Sequence, residues 1–442
     1  MKTRTRIFFV TLAFLLGVRL VIMGTTYVFE PSESRYAAIS ANMALTRDWF
    51  APAFTYKGKW EVFAGKPPLA FQASALSALM LGGAGEFAVR LPSFAAFLAL
   101  LAILYFSAKK LSRDEGVDGG AARLAAGICA SSAAFYAAAG FCMTDLPLVC
   151  CTSGALLVYC AWRARTLGPA LAIGALLALG MMIKGPISPL LFMLGAGVDF
   201  LWRRYALKEE KALPPLRCIA AAIAVFLALA IPYFMLIERR QNGFLEYFFI
   251  NENLLRFLVK DYGDKYGAGR ESFRGMAAIW AFLVTLPWSP FLVAEFLPPL
   301  KGLLPRLRKK MSPLAAYGAA APGGEVRRCC YSTALGAAAA ITLFWCLTSR
   351  VPPTYLLPIV PLVSLHIALH ASQTPATGRL LWHMLPCAAL ISVIALGATL
   401  GVTRLAKPRK LPGPDAPPKV SDHYFSYEFY HGPWGEGAPC KR

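Results

Sequence analysis

Glu33, Arg35 and Tyr36 lie in FEPSESRYAAISANM (29–43), and Lys66 follows in FAGKPPLAF (63–71). Both segments come after a first hydrophobic run, so acidic, basic and aromatic groups gather where a membrane enzyme would meet a lipid-phosphate substrate. Two further charges interrupt apolar sequence beside a proline: Asp145 in CMTDLPL (142–148) and Lys184 in MMIKGPI (181–187). An unpaired charge is costly in hydrocarbon, so both are expected at the ends of spans rather than at mid-depth.

The elements that must position these groups are set by composition. The 442 residues are 57% hydrophobic and 16% charged, with a mean hydropathy of +0.52, which is too apolar and too sparsely charged for an ordinary soluble domain. Uncharged runs recur at 7–18, 91–108, 124–141, 146–161, 168–183, 186–198, 218–237, 276–297, 332–347, 351–370 and 380–402. Several reach the roughly 20 residues that cross a bilayer as a helix. The expected architecture is an all-α polytopic membrane protein of about eleven spans, counted on those runs. A transmembrane domain is expected over 1–402, with a Pro- and Gly-rich tail over 403–442.

Basic residues orient the spans. MKTRTR, Lys109 to Arg113, Arg163 and Arg165, Arg203 to Lys208, and Arg306 to Lys310 fall on alternate sides of successive runs, as the inside bias of Lys and Arg requires. Loops 24–85 and 238–275 are then outside, and the linker 298–330 is inside. The basic start followed by an apolar run also resembles a signal peptide, but Arg19 interrupts the run and an uncleaved first helix is expected. Asp145 and Lys184 emerge on the same face as Glu33 and Lys66. Each charge alone could simply end a helix and snorkel, but their joint placement with NENLLRFL (251–258) and SRVPPTYLLP (349–358) points to a site.

On the outer face, 31–47 opens with Pro31 and spaces Tyr36, Ile39 and Met43 as one helical stripe, which predicts an amphipathic helix lying on the membrane surface. Pro67 and Pro68 open a second short helix over 69–81, and LGGAG (81–85) turns the chain back. The net charge of +21 suits anionic lipids or phosphates, and no nucleic acid is expected as a partner. Most of the 11 Cys sit in apolar runs and are expected to pack rather than bridge or bind zinc. His366 and His370 have metal-pair spacing without an acidic neighbour and are read as helix-surface or interfacial residues.

PSESRYAAISANM, DWFAP, GKPPLAF, EFAVRLPS, MTDLPL, IKGP, NENLLRFL, LPWSP and RVPPTYLLPIVP occur in that order over about 30–360. In this order they resemble the motifs of polyprenyl-phosphate-dependent glycosyltransferases, and more narrowly the bacterial aminoarabinose–lipid A transferase and protein mannosyltransferase group. That resemblance implies a GT-C-like helical bundle with amphipathic juxtamembrane helices in the bacterial cytoplasmic membrane, its site facing the periplasm. It implies a polyprenyl-phosphate-sugar donor and a lipid or glycolipid acceptor, with transfer to a Ser/Thr protein acceptor as the alternative, in a protein expected to be a monomer. No nucleotide-binding glycine fingerprint is present, which agrees with a lipid-linked donor.

Breaking the bond between the anomeric carbon and phosphate leaves a dianionic phosphate, so fixed cations are wanted. Lys66, Arg35, Lys184, Arg256 and Arg350 are the candidates, with Arg90 and the helix 69–81 beside the expected prenyl-chain groove and Tyr36 and Tyr355 placed to touch substrate. A carboxylate is wanted for the acceptor proton or the sugar's positive charge. Glu33 is the first choice, with Glu30 or Asp145 assisting, and Glu252 is a candidate for binding substrate. Relatives carry an Asp where this chain has Ser32, so either Glu33 acts or the acceptor is already a phosphate nucleophile. The relatives' metal ligands are replaced by Gly65 and Asn253, so no metal site is expected and no cofactor is implied. A transporter or flippase, and a non-enzymatic lipid-binding scaffold, are the other classes these features could serve.

Overall fold

The computed structural model describes residues 2–28, 32–56, 59–114, 120–163, 165–255, 259, 271–296, 333–373 and 375–405. The linker 298–330, the tail beyond 405, and Arg256 therefore lie outside the described residues, while 403–405 continue the last helix, Pro375–Leu405.

The molecule is a helical bundle. In chain order it holds α1 (Lys2–Thr25), α2 (Ser32–Thr46), strands β1 (Ala53–Tyr56) and β2 (Lys59–Val62), α3 (Leu69–Met80), α4 (Glu86–Asp114), α5 (Gly120–Ala130), α6 (Ala133–Ala138), α7 (Asp145–Trp162), α8 (Leu167–Lys184), α9 (Ile187–Leu201) and α10 (Leu216–Arg240). A π-helical turn, Tyr247–Leu255, and helices Met276–Val284, Ser289–Phe296, Leu335–Cys346 and Ile359–Ser372 follow before the last helix. Among the described residues six helices are long and apolar enough to cross a membrane: α1, α4, α7, α8, α10 and the last.

The difference from the eleven runs has local causes. Run 124–141 is split at Ser131 and Ser132, whose hydroxyls bond back to the Gly127 and Ile128 carbonyls and end α5. Run 276–297 is split before Ser289 in the Pro-containing LPWSP segment, and run 351–370 becomes helical only at Ile359, after a 3₁₀ turn at Pro353–Leu356. Proline removes the amide that would continue each helix.

The helix predicted over 31–47 is present as α2, but it does not lie on a surface. Its residues Tyr36 through Ala44 are all buried, because Ala and Ser on the face away from the Tyr36 stripe let neighbours approach from every side. Around it the β1–β2 hairpin, α3 and the start of α4 build a separate apolar cluster at one end of the bundle. Tyr36, Phe54, Phe63 and Phe71 are its aromatic centre, with Tyr36 and Phe71 rings 5.3 Å apart. The main core lies among α1, α4, α5 and the two last helices.

α7 and α8 form an antiparallel pair, so the start of one and the end of the other share one end of the bundle. Each is 18 residues long, which carries the chain about 27 Å from that end. α8 also packs closely on α10, where a side chain at Gly174 would meet the Ala222 carbonyl. Arg19, the charge inside α1, is buried and donates to the Ala137 carbonyl at 2.6 Å, with its guanidinium over the Phe141 ring. That one bond satisfies a carbonyl at the C-terminal end of α6, while its Nε and Nη1 have no hydrogen-bond partner among the described residues. His366 and His370 are both fully buried and stack at 5.9 Å, which corrects the surface reading. Seven described Cys are free, but Cys160 is disulfide-bonded, which corrects the packing reading for that residue.

Candidate active site

Asp145 is the first residue of α7 and Lys184 the last of α8. A carboxylate suits a helix N-terminus and an ammonium a helix C-terminus, so each charge sits where its own helix favours it. Gly185 then turns the chain with φ +82, and Pro186 leads into α9. This IKGP turn brings the two side chains together: Lys184 Nζ donates to Asp145 Oδ1 at 2.6 Å, with the pair only 11% and 8% exposed. The Lys184 ammonium also lies 4.6 Å from the centre of the Tyr355 ring, a cation–π contact. Tyr355 is held by Trp345, ring centres 4.6 Å apart. The Thr354 side chain hydrogen-bonds Asp145.

The pair opens onto a cavity of about 340 Å³. Lys66, Asp145, Lys184, Glu252, Asn253 and Tyr355 are among its polar side chains, and Leu148, Leu190, Phe344 and Leu347 are among its apolar ones. Lys66 reaches it from the loop before α3, behind Pro67 and Pro68. It makes no hydrogen bond or ion pair among the described residues. Glu252 accepts a hydrogen bond from the Tyr247 hydroxyl at 3.0 Å. The Asn253 carboxamide donates to the Phe248 carbonyl at 2.7 Å.

Glu33 and Arg90 are elsewhere. Arg90 donates from Nε to Glu33 Oε1 at 2.7 Å and from Nη2 to Oε2 at 3.0 Å. Its remaining donors reach the Met23, Thr26 and Tyr27 carbonyls at the end of α1. Glu33 Oε1 also accepts the Cys142 amide at 2.9 Å. The two side chains are 1% and 3% exposed and line no cavity described above. Burial, and then the Glu33 charge, push the Cys142 thiol up to about 12, so this cysteine is no nucleophile.

The other predicted residues divide. Ser32 begins α2 and Arg35 lies over the Tyr36 and Phe63 rings at 5.5 and 5.6 Å, neither lining the cavity. Arg350 pairs with Glu271 at 2.8 Å outside it. Tyr36 lines a second, largely apolar groove of about 240 Å³ with Leu69, Phe71, Pro92, Pro147 and Leu179. Burial raises the Tyr36 phenol, and the Lys66 and Arg35 cations more than offset this, so its pKa lies below the ordinary tyrosine value. Thr354 and Gly185 were not singled out individually, although both stand inside quoted motifs. A Cβ at Gly185 would lie 2.5 Å from the Phe248 ring, so the residue is required by the turn and by its neighbour.

The donor set does not suit a metal ion. Gly65 offers no side chain, Asn253 offers at most a neutral carboxamide oxygen, and of the two carboxylates lining the cavity Asp145 is already paired with Lys184, which leaves Glu252. Among the described residues no group of three His, Cys, Asp or Glu could hold an ion.

A protein-family model described as Dolichyl-phosphate-mannose-protein mannosyltransferase matches residues 2–248. An Undecaprenyl phosphate-alpha-4-amino-4-deoxy-L-arabinose arabinosyl transferase of Enterobacter sp. (strain 638) is 26% identical over 365 residues, covering 80% of this chain. The same-named protein of Pseudomonas paraeruginosa is 28% identical over 250 residues, covering 55% of this chain and 42% of that protein. The chain spans 57% of the length of the Enterobacter relative. In fold it is similar to the crystal structure of ArnT from Cupriavidus metallidurans bound to undecaprenyl phosphate, with a TM-score of 0.62 at 19% identity over 95% of this chain and 67% of that one. It is also similar to the apo oligosaccharyltransferase of Archaeoglobus fulgidus, with a TM-score of 0.51 at 14% identity over 98% of this chain and 60% of that one.

Proposed function

Because the chain belongs to the dolichyl-phosphate-mannose-protein mannosyltransferase family and has a GT-C-like helical bundle, we propose that it is a multi-pass membrane glycosyltransferase. It moves a sugar from a polyprenyl-phosphate donor to a lipid acceptor. The observation that carries this reading is Lys66, an ammonium without an ion-pair partner among the described residues, in the same cavity as the Asp145–Lys184 pair.

Cleavage between the anomeric carbon and the phosphate oxygen leaves the bonding electrons on the lipid phosphate. Lys66 is the group that stabilises this growing charge, which a fixed cation does best when it costs no reorganisation. Lys184, tied to Asp145, keeps that carboxylate ionised and oriented. Asp145 is then the group that accepts the acceptor's proton or faces the positive charge developing on the sugar ring. Glu252, on the cavity wall, is a second carboxylate for the acceptor. The apolar groove beside Tyr36 and α3 suits the prenyl chain. Glu33 is assigned a structural role, because both its oxygens are engaged.

The names of the curated relatives favour a pentose carried on undecaprenyl phosphate. A second reading, transfer of a hexose to a protein hydroxyl, is favoured by the family description. The basic residues at the opposite end of the bundle support a cytoplasmic location for that end, so the cavity faces the exterior.

The test supplies the purified full chain with undecaprenyl-phosphate-linked sugars and lipid A, and follows product mass. A gain of one sugar on lipid A is expected. Transfer only to a Ser/Thr peptide would select the second reading, and no transfer to either acceptor from donors that bind would overturn the enzyme assignment.

A further inference from the structure

At the end of the bundle away from the candidate active site, Arg165, Phe200, Arg204, Glu210 and Lys211 are among the residues lining a cavity of about 530 Å³. It lies where α8 and α10 begin and α9 ends, and two of these three helices are long and apolar enough to cross a membrane. We propose that this cavity binds the phosphate headgroup of an anionic glycerophospholipid, independently of the glycosyltransferase reading.

Three observations carry the proposal. The first is charge that the protein leaves unused. The neighbouring acid Asp199 is committed: it accepts Arg203 Nε at 2.7 Å, the Tyr159 hydroxyl at 3.1 Å and the Thr333 hydroxyl at 2.6 Å. Glu209 lies 3.6 Å from Arg203. By contrast, Arg204 and the Lys211 ammonium make no hydrogen bond or ion pair among the described residues. Glu210 is the one acid lining the cavity, against three cations. Burial, and then Arg203, bring the adjacent Arg163 down to about 10, which leaves it charged at neutral pH and adds to the positive field.

The second observation is that the cavity is shaped. Arg165 Nη2 donates to the Lys211 carbonyl at 2.9 Å, which ties the turn between α7 and α8 to the loop before α10 and sets the two walls. The planar guanidinium keeps further donors for an anion, and Arg suits phosphate oxygens better than a point charge does.

The third is the rim. Trp202, Tyr205, Leu213 and Leu216 are 40%, 72%, 56% and 80% exposed. Aromatic residues of this kind mark the headgroup level of a bilayer. From Leu216 the exposed Ile223 and Leu227 continue along α10, and Leu171 follows along α8. A phosphate in the cavity would leave its acyl chains on that track, an arrangement a free inorganic anion does not use. The pairing of spare cations with an apolar track therefore selects a lipid, and the basic bias of this end places it in the cytoplasmic leaflet.

The experiment uses the purified full chain in a mild neutral detergent, with phosphatidylglycerol added and retained lipid counted by native mass spectrometry. The double variant Arg165→Gln with Arg204→Gln should lower phosphatidylglycerol retention about tenfold, the size expected for losing charge-assisted contacts, while weak phosphatidylcholine binding is unchanged. Arg204→Gln alone, at an exposed position with no partner to disturb, should give part of the loss. A control pair of equal charge on the same face, Lys109→Gln with Arg113→Gln, should retain the lipid. Equal retention by the cavity variant, equal loss in the control, or displacement of the lipid by inorganic phosphate at matched concentration would each overturn the proposal, the last by marking a free-phosphate site.

Discussion

Glu33 with Arg90 and Asp145 with Lys184 are two carboxylate–cation pairs buried at the same end of one bundle. The first is saturated: both Glu33 oxygens and all three guanidinium nitrogens are engaged, and the partners join α2, α4 and the end of α1. The second is made by two helix ends and opens onto a cavity that a third cation, Lys66, also enters. A closed pair holds elements together, because its remaining hydrogen-bonding capacity is spent. An open pair can exchange part of its interaction for a substrate, which is what differential stabilisation of a transition state requires.

The contrast can be broken most severely at the open pair. Asp145→Asn should lower sugar transfer by about 10²–10⁴-fold, the range of a positioned acid or base, with a smaller loss of stability than Glu33→Gln because the Lys184 ammonium left behind faces the cavity. A large loss of stability with transfer per folded molecule preserved would make Asp145 structural. Glu33→Gln should do the reverse. It leaves the Arg90 guanidinium uncompensated in the interior, a cost of about 3–5 kcal/mol, so folded protein in the membrane should fall sharply. The surviving fraction should transfer sugar at close to the parent rate, and a folded but inactive Glu33→Gln protein would return the base to Glu33.

A smaller effect is expected where the open pair is positioned. Gly185→Ala puts a Cβ against Phe248 at a positive φ, which should cost about 1–3 kcal/mol of stability and reduce turnover by moving Lys184. An unchanged melting temperature and kcat would show that the turn tolerates a side chain. The smallest effect is on Tyr36. Its pKa is depressed, so the linked stabilisation is complete above the ordinary tyrosine pKa of about 10 and is lost as pH falls through the lowered value. Lys66→Met should move the Tyr36 titration upward, read as tyrosinate absorbance against a Tyr36→Phe control. An unmoved titration would separate Lys66 from Tyr36.

Much of this arrangement was legible before any coordinates. The runs 146–161, 168–183, 218–237 and 380–402 became α7, α8, α10 and most of the last helix, because hydropathy and the flanking Pro and Gly agree there. Asp145, Lys184, Lys66, Glu252 and Tyr355 were each expected at one end of the bundle, and the structure gathers them around one cavity. What was not legible was pairing. Glu33 and Arg90 are 57 residues apart, and nothing local to either motif says that one would neutralise the other. Glu33 therefore read as a free carboxylate. The helix 31–47 misled for a related reason: its Tyr36, Ile39, Met43 stripe fits a surface helix, whereas the small residues opposite permit burial that only the tertiary partners reveal.

The proposed transfer rests most on Lys66 as the cation that receives the lipid phosphate. Titration of undecaprenyl phosphate into the purified parent chain and into Lys66→Met tests it without requiring turnover or a known sugar. Saturable binding to the parent is expected, with affinity about tenfold or more weaker in the variant, as loss of a charge-assisted contact gives. Equal affinity in two equally folded proteins would contradict it and move the phosphate to another part of the molecule.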